Sequence, residues 1–263
     1  MNSSIHTELT PEAMIQRLRE ALARPLPGPS AQWEMAPPYR RTLLEQTGGL
    51  PPEARPAAVL ILLYPRGRDL AFPLTRRTDH VAHHKGQISL PGGACEPGES
   101  PEATALRETE EELGFPGSRV RLLGRLTPLY VPPSGFLVYP VVGDLPERPV
   151  FHPAPLEVAE VLEATLSWLL DPRHQGEEEW ELYGARWRIP VFRLGGHIIW
   201  GATAMILAEF RAVAREALDP LRGSHAGARD LALPSGGLVD PAGLGENPQR
   251  EERTTPRTPP ICL

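Results

Sequence analysis

The sequence predicts an α/β fold in which a mixed β-sheet is covered by helices on its two faces. Three observations lead there. An unbroken apolar run, "AAVLILLY" at 57–64, reads as a strand. Further strand-like stretches, "RVRLLGRL" and "FLVYPVVGDL", alternate irregularly with helical ones. The segment 101–113 carries a full set of helix start and stop signals.

Taken in chain order, "LTPEAMIQRLREALA" predicts an amphipathic helix, with Thr10 as N-cap, Pro11 at the first position and Met14, Leu18 and Leu22 on one face. "RPLPGPSAQWEMAPP" interrupts regular structure with prolines and reads as a linker. Residues 1–40 are therefore taken as an N-terminal helix and Pro-rich linker, and 41–218 as the main domain. In that domain "WELYGARWRIPVF" predicts a hairpin turning at Gly184-Ala185, "SWLLD" a short helix and "GATAMILAEFRAVAREAL" a last long one. Residues 219–263 turn to Pro, Gly, Arg and Glu with few large apolar side chains, the composition of a mostly disordered tail.

Composition narrows the class of protein. The chain has 263 residues, 41% hydrophobic and 23% charged, enough for one sizeable domain with extensions. "AAVLILLY" falls far short of the roughly 20 apolar residues of a membrane span, and no basic-then-apolar leader opens the chain. Two cysteines, Cys95 and Cys262, do not make a disulfide framework, which fits a reducing cytoplasm. A formal charge of −6 argues against bulk attraction to nucleic acid or anionic lipid. A small anionic molecule remains open as partner, and so does a homodimer.

The helix at 101–113 holds the chemistry. Ser100 caps it, Pro101 suits its first turn, Glu102 favours its positive end and Gly114 its left-handed stop. Within "RETEEELGF", Glu108, Glu111 and Glu112 stand at i, i+3 and i+4 on one face, and Glu110 points elsewhere as a bystander. An acidic solvated face is one reading of that pattern. The preceding "LPGGACEPGES" favours another, because its glycines let the backbone approach a ligand closely. Three carboxylates beside such a loop suit Mg²⁺ or Mn²⁺ shared with a diphosphate.

The spacing resembles the signature of the Nudix hydrolases: glycine, five residues, glutamate, seven residues, Arg-Glu, an aliphatic, any residue, Glu-Glu, any residue, glycine and an aliphatic. Gly93, Glu99, Arg107, Glu108, Glu111, Glu112 and Gly114 occupy the fixed places, with Thr109 and Phe115 as mild departures. The resemblance implies a Nudix-type α/β/α sandwich in which Glu108, Glu111 and Glu112 bind the metal, Glu99 orients Arg107, and the Gly93 carbonyl serves as a further ligand. It leaves the base open between Glu111 and a downstream carboxylate such as Glu157. Glu112 is expected on a helix face open to the site.

Upstream, "LTRRTDHVAHHKGQISLPGG" resembles a second motif, that of the coenzyme A pyrophosphatase branch. Leu74, Thr75, Arg77, Thr78, Gly86, Pro91, Gly92 and Gly93 match it, while Ala82 replaces a spaced arginine and Leu90 a phenylalanine. "PPSGFLVYPVVG" and "IIWGATAMIL" extend the likeness over about residues 57–215. It implies hydrolysis of coenzyme A, or its thioesters, to 4′-phosphopantetheine and adenosine 3′,5′-bisphosphate. ADP-ribose or another nucleoside diphosphate derivative is the alternative substrate, and a non-catalytic nucleotide-binding module the alternative class. Arg76, Arg77, Lys85 and Gly92 are the candidate substrate contacts. His83 and His84 lack the spaced partners of a transition-metal site. Trp180, Trp187 and Trp200 read as core rather than as an adenine platform, and Cys95 as a tolerated small residue.

Overall fold

The computed structural model describes residues 9–46, 50–78 and 87–219. Its helices are α1 (Pro11–Leu22), α2 (Pro29–Gln32), α3 (Arg40–Gln46), α4 (Pro101–Leu113), α5 (Leu166–Leu170) and α6 (Gly201–Leu218). Its strands are β1 (Arg55–Arg66), β2 (Asp69–Arg77), β3 (Ile88–Ser89), β4 (Gly92–Ala94), β5 (Arg121–Arg125), β6 (Leu129–Val131), β7 (Phe136–Asp144), β8 (Val158–Thr165), β9 (Gln175–Leu182), β10 (Ala185–Leu194) and β11 (His197–Ile199).

The apolar run at 57–64 becomes the middle of β1, and its lack of alternation has a simple cause: the strand is buried on both faces. Ala57, Val59, Ile61 and Leu63 join one core with Met14 and Leu18 of α1 and Met205 of α6. Ala58, Leu60, Leu62 and Tyr64 face Ala105 and Leu113 of α4, together with Phe115. Helices thus cover both sides of a mixed sheet, the α/β/α sandwich that the sequence implies. β1 runs parallel to β7 along one side. On the other side it pairs antiparallel with β4 at Ala57–Val59 and with β2 at Tyr64–Arg66. β2 carries β3 and β8, and β7 carries β5 and β6. A separate three-stranded sheet has the order β11-β10-β9.

Thr10 caps α1 as predicted, its Oγ1 accepting from the Ala13 amide at 3.3 Å. The Pro-rich stretch after α1, read as a linker, packs onto the domain, with Gln32 3% and Met35 2% exposed. The cause is a carboxyl group on α6. Fully buried Glu209 accepts from the Gly28 amide at 3.2 Å, Gln32 Nε2 at 2.8 Å, the Thr127 amide at 3.2 Å and Thr127 Oγ1 at 2.6 Å. One side chain therefore satisfies donors from two segments far apart in sequence, 28–32 and Thr127.

Two local expectations need correction. The β9–β10 hairpin turns on Tyr183-Gly184, not Gly184-Ala185: Ala185 pairs with Leu182, and both turn residues have positive φ, 53° and 72°. Such a two-residue turn matches the twist of its strands, which is why even a tyrosine is held there. Trp180, Trp187 and Trp200 are half-buried and outside the apolar core. Trp180 packs edge-on against Trp200 at 4.8 Å, and Trp187 against Tyr39 at 5.9 Å. Of residues 219–263, the stretch read as a disordered tail, all but Asp219 lie outside the described residues.

Replacing Glu209 with Ala removes the acceptor of four donors, two of them buried, and is expected to lower stability by about 2–4 kcal/mol in urea unfolding. Glu209→Gln, which keeps one acceptor, is expected to lose less. Equal, negligible losses in both variants would contradict the anchoring role.

Candidate active site

The site begins with a loop pressed onto the sheet. β4 pairs Gly92 with Val59 and Gly93 with Ala58. At Gly92, with φ 149°, a Cβ would stand 2.2 Å from the Ala58 carbonyl oxygen. At Gly93 a Cβ would stand 2.4 Å from the Glu108 carboxyl carbon. Only glycine allows the loop to be sandwiched this tightly between strand and helix.

α4 follows the predicted limits. Ser100 Oγ accepts from the Ala103 amide at 3.2 Å, and Gly114 adopts the left-handed conformation with φ 72°. Such a cap contributes about 1 kcal/mol. That offsets like-charge pairs costing about 0.2–0.5 kcal/mol each. The segment after β7 finishes the helix: His152 N–H donates to the Leu113 carbonyl at 2.8 Å and Ala154 N–H to that of Glu112 at 3.0 Å. Glu110 is not a bystander, since its Oε2 accepts the Gly117 amide at 2.9 Å and holds the turn beyond the helix.

Arg107 is the hub of the acidic face. Its Nε and Nη2 clamp Glu99 at 3.0 Å each, Nη1 reaches Glu108 at 2.8 Å and Glu111 at 3.5 Å, and Nη2 also meets the Ala94 carbonyl at 3.3 Å. Thr104 Oγ1 adds a bond to Glu99 at 2.7 Å. Arg107, then Thr104, holds the Glu99 carboxyl down at about 2, and the bonds to Glu99, then Glu108, push the guanidinium up. Glu99 and Arg107, which the resemblance pairs, are thus in contact, and Glu108 joins them through Arg107 Nη1. Thr104 and Ala94 join them with no prior sequence signal beyond their place in the loop and helix.

The three helix carboxylates differ in environment. Glu111 is the exposed one, with 60% of its side chain accessible. Glu112 is not on an open face: it is 5% exposed, with Oε2 accepting the Gly92 amide at 3.3 Å. Burial raises its carboxyl to about 8, opposed by Arg77 and the Gly92 bond and reinforced by Glu108 and Glu157. Burial also raises Glu108, against Arg107 and with Glu111 and Glu157. Glu157 reaches this group because Ala154 is tied to the end of α4 and the Thr78 amide donates to the Glu157 carbonyl at 3.0 Å.

The two candidate arginines part company. Arg77 interacts with Glu112 on the α4 side, and its Nε is buried without a hydrogen-bond partner among the described residues. Arg76 instead donates Nε to Glu160 at 3.1 Å, and His197 Nε2 stands 3.6 Å from the same carboxylate. Adjacent residues of a strand point to opposite faces, so one dipeptide serves two environments. Gly92 meets Glu112 through its amide. Lys85, with His83, His84, Ala82 and Gly86, lies outside the described residues. Cys95 is half-buried against the core under α4.

Among the described residues no three His, Cys, Asp or Glu side chains converge on one point closely enough to hold an ion as they stand. The donor chemistry nevertheless fits a hard divalent cation. Glu108 and Glu112 offer carboxylate oxygens whose negative charge is undercompensated where they stand.

The sign of the Glu112 shift makes a stability prediction. A carboxyl at about 8 in the fold and 4.5 unfolded contributes stability fully present below about pH 4.5 and lost as pH rises through about 8. In EDTA the thermal midpoint is expected to fall over that window, and Glu112→Gln to flatten the fall. A slope unchanged in Glu112→Gln would contradict the buried-acid assignment.

The NUDIX domain family matches residues 54–187. A protein of Photorhabdus laumondii subsp. laumondii named "Uncharacterized Nudix hydrolase NudL" is 36% identical over 177 residues, 67% of this chain and 89% of the relative. Its namesake from Yersinia enterocolitica is 38% identical over 163 residues, 62% and 83% of the two chains. Among solved structures, the MutT protein of Methanosarcina mazei Go1 superposes with a TM-score of 0.40 at 18% identity, over 62% of this chain and 94% of that one, too loosely to bear on function. The glycine-pinned loop, the Arg107 hub and a family match spanning β1 to the start of β10 agree: the chain belongs to the Nudix family.

Proposed function

We propose that the protein hydrolyses the diphosphate bond of coenzyme A or its thioesters, consuming one water and releasing 4′-phosphopantetheine and adenosine 3′,5′-bisphosphate. The observation that carries this reading is Arg77. It belongs to the coenzyme A pyrophosphatase-like motif, sits beside Glu112 on the α4 side, and keeps an unpartnered buried Nε among the described residues. A guanidinium so placed can add a phosphate to its carboxylate neighbour.

Mg²⁺ or Mn²⁺, held by Glu108, Glu111 and Glu112, would neutralise phosphate oxygens and lower the pKa of the attacking water. The protein's own groups do the positioning. Arg107, clamped by Glu99, holds Glu108 and reaches Glu111, so the carboxylates are oriented before substrate arrives. Glu111, the exposed carboxylate, takes the proton from water, with Glu157 as the other candidate base.

Product analysis after incubation with coenzyme A and either metal tests the reaction. Cleavage to the two named products is expected, faster than cleavage of the form lacking the 3′-phosphate or of ADP-ribose. Preference for ADP-ribose would overturn the substrate, and binding without turnover would favour a nucleotide-binding module. Glu112→Gln is expected to remove most activity, about 100-fold or more, in a folded protein. Comparing kcat of Glu111→Gln and Glu157→Gln separates the two bases, the larger loss marking the proton acceptor.

A further inference from the structure

Thr78 follows the last residue of β2 and is buried, 6% exposed. The pairing of β2 with β8 slips by one residue just before it: Arg76 pairs with Glu160 but Arg77 with Val158. A bulge of this kind re-aims the chain beyond it, and the next residue on the β8 side is Glu157. Thr78 holds that residue from both sides. Its Oγ1 donates to the Leu156 carbonyl at 2.8 Å and its amide to the Glu157 carbonyl at 3.0 Å. The Ala154 carbonyl accepts from the Glu157 amide at 3.0 Å and the Val158 amide at 2.8 Å. All four polar atoms of the two peptides flanking the Glu157 Cα are therefore bonded. Ala154 is in turn tied to α4, its amide donating to the Glu112 carbonyl at 3.0 Å.

The side chain is treated in the opposite way. Glu157 is exposed, and its carboxylate accepts no hydrogen bond among the described residues. It lies close enough to Glu108 and Glu112 to disfavour the charge of each. That placement costs stability, because like charges repel and no bond to the carboxylate offsets it. A backbone fixed this firmly beneath an unpaired acid, beside two others, suits a group held ready for a cation. We propose that Thr78 is a positioning residue: its hydroxyl and amide fix Glu157 beside the carboxylates of α4, so that the Glu157 charge adds to the attraction for the divalent cation of the site. This role rests on the metal binding proposed above and not on coenzyme A as the substrate.

Titration of the full chain with Mn²⁺ in the absence of substrate, followed by the electron paramagnetic resonance of the free ion, tests it. Glu157→Gln is expected to weaken binding about 5–10-fold, through loss of one charge near the ion. Thr78→Val keeps the shape and the amide but loses the hydroxyl, and is expected to weaken binding about 3-fold. Thr78→Ser, which keeps the hydroxyl, is expected to bind within about 1.5-fold of the wild type. In the Glu157→Gln background Thr78→Val is expected to cost nothing further, because it acts only through that carboxylate. If Thr78→Val does not fold, Thr78→Ala is read in its place. Unchanged affinity in Glu157→Gln or in Thr78→Val, a serine variant as weak as the valine one, or a full further loss in the double variant would each overturn the role of Thr78 alone. A wild-type chain that binds no Mn²⁺ would overturn the metal reading of the site and this role with it.

Discussion

The arrangement of the site depends on one steric constraint, the approach of Gly92 and Gly93 to β1 with no room for a side chain. Because Gly92 lies against the Ala58 backbone, the loop becomes a strand of the sheet rather than a free excursion. Because Gly93 lies against Glu108, the helix that follows can pack down on the loop. A Cβ at either position would force strand and helix apart, and the carboxylates would lose both their burial and the Gly92 amide.

That closeness creates the electrostatic tension within the site. Glu108 and Glu112 are drawn out of water and set near Glu157, so their charge is disfavoured where they stand. Arg107 relieves Glu108, and Arg77 partly relieves Glu112. Glu99 experiences the reverse: Arg107 and Thr104 bond its ionised form and hold it low. Neighbouring carboxylates with opposite shifts thus behave differently, one fixing the geometry of Arg107 and the others held where their charge is disfavoured.

The same economy holds the opposite layer together. Glu209 draws the Pro-rich segment and the Thr127 loop onto α6, so a stretch with little secondary structure of its own still closes one face of the core. Prolines in that stretch limit its freedom before folding, which lowers the entropy lost on docking. At the far end of the sheet Asp144 is a buried acid without such a full set of donors.

Much of this was legible in the residues. The limits of α4 followed from Ser100, Pro101 and Gly114, signals that act within one helical turn and need no tertiary context. β1, α6 and the i, i+3, i+4 face of Glu108, Glu111 and Glu112 followed from periodicity, which is likewise local. What the tertiary structure alone decided was the environment of those residues. Nothing near Glu112 in the chain shows that it is buried, because the burying surface comes from Gly92 and β1. Nothing in "LTRR" separates Arg77 beside Glu112 from Arg76 beside Glu160, because their partners lie on α4 and β8. The turn at Tyr183-Gly184 was misplaced by one residue, because strand twist and register, not glycine alone, chose its centre. Sequence determined which residues could carry charge and where helices and strands begin. Solvent exclusion and distant partners determined how each charge behaves, because both depend on elements brought together only by the completed sheet.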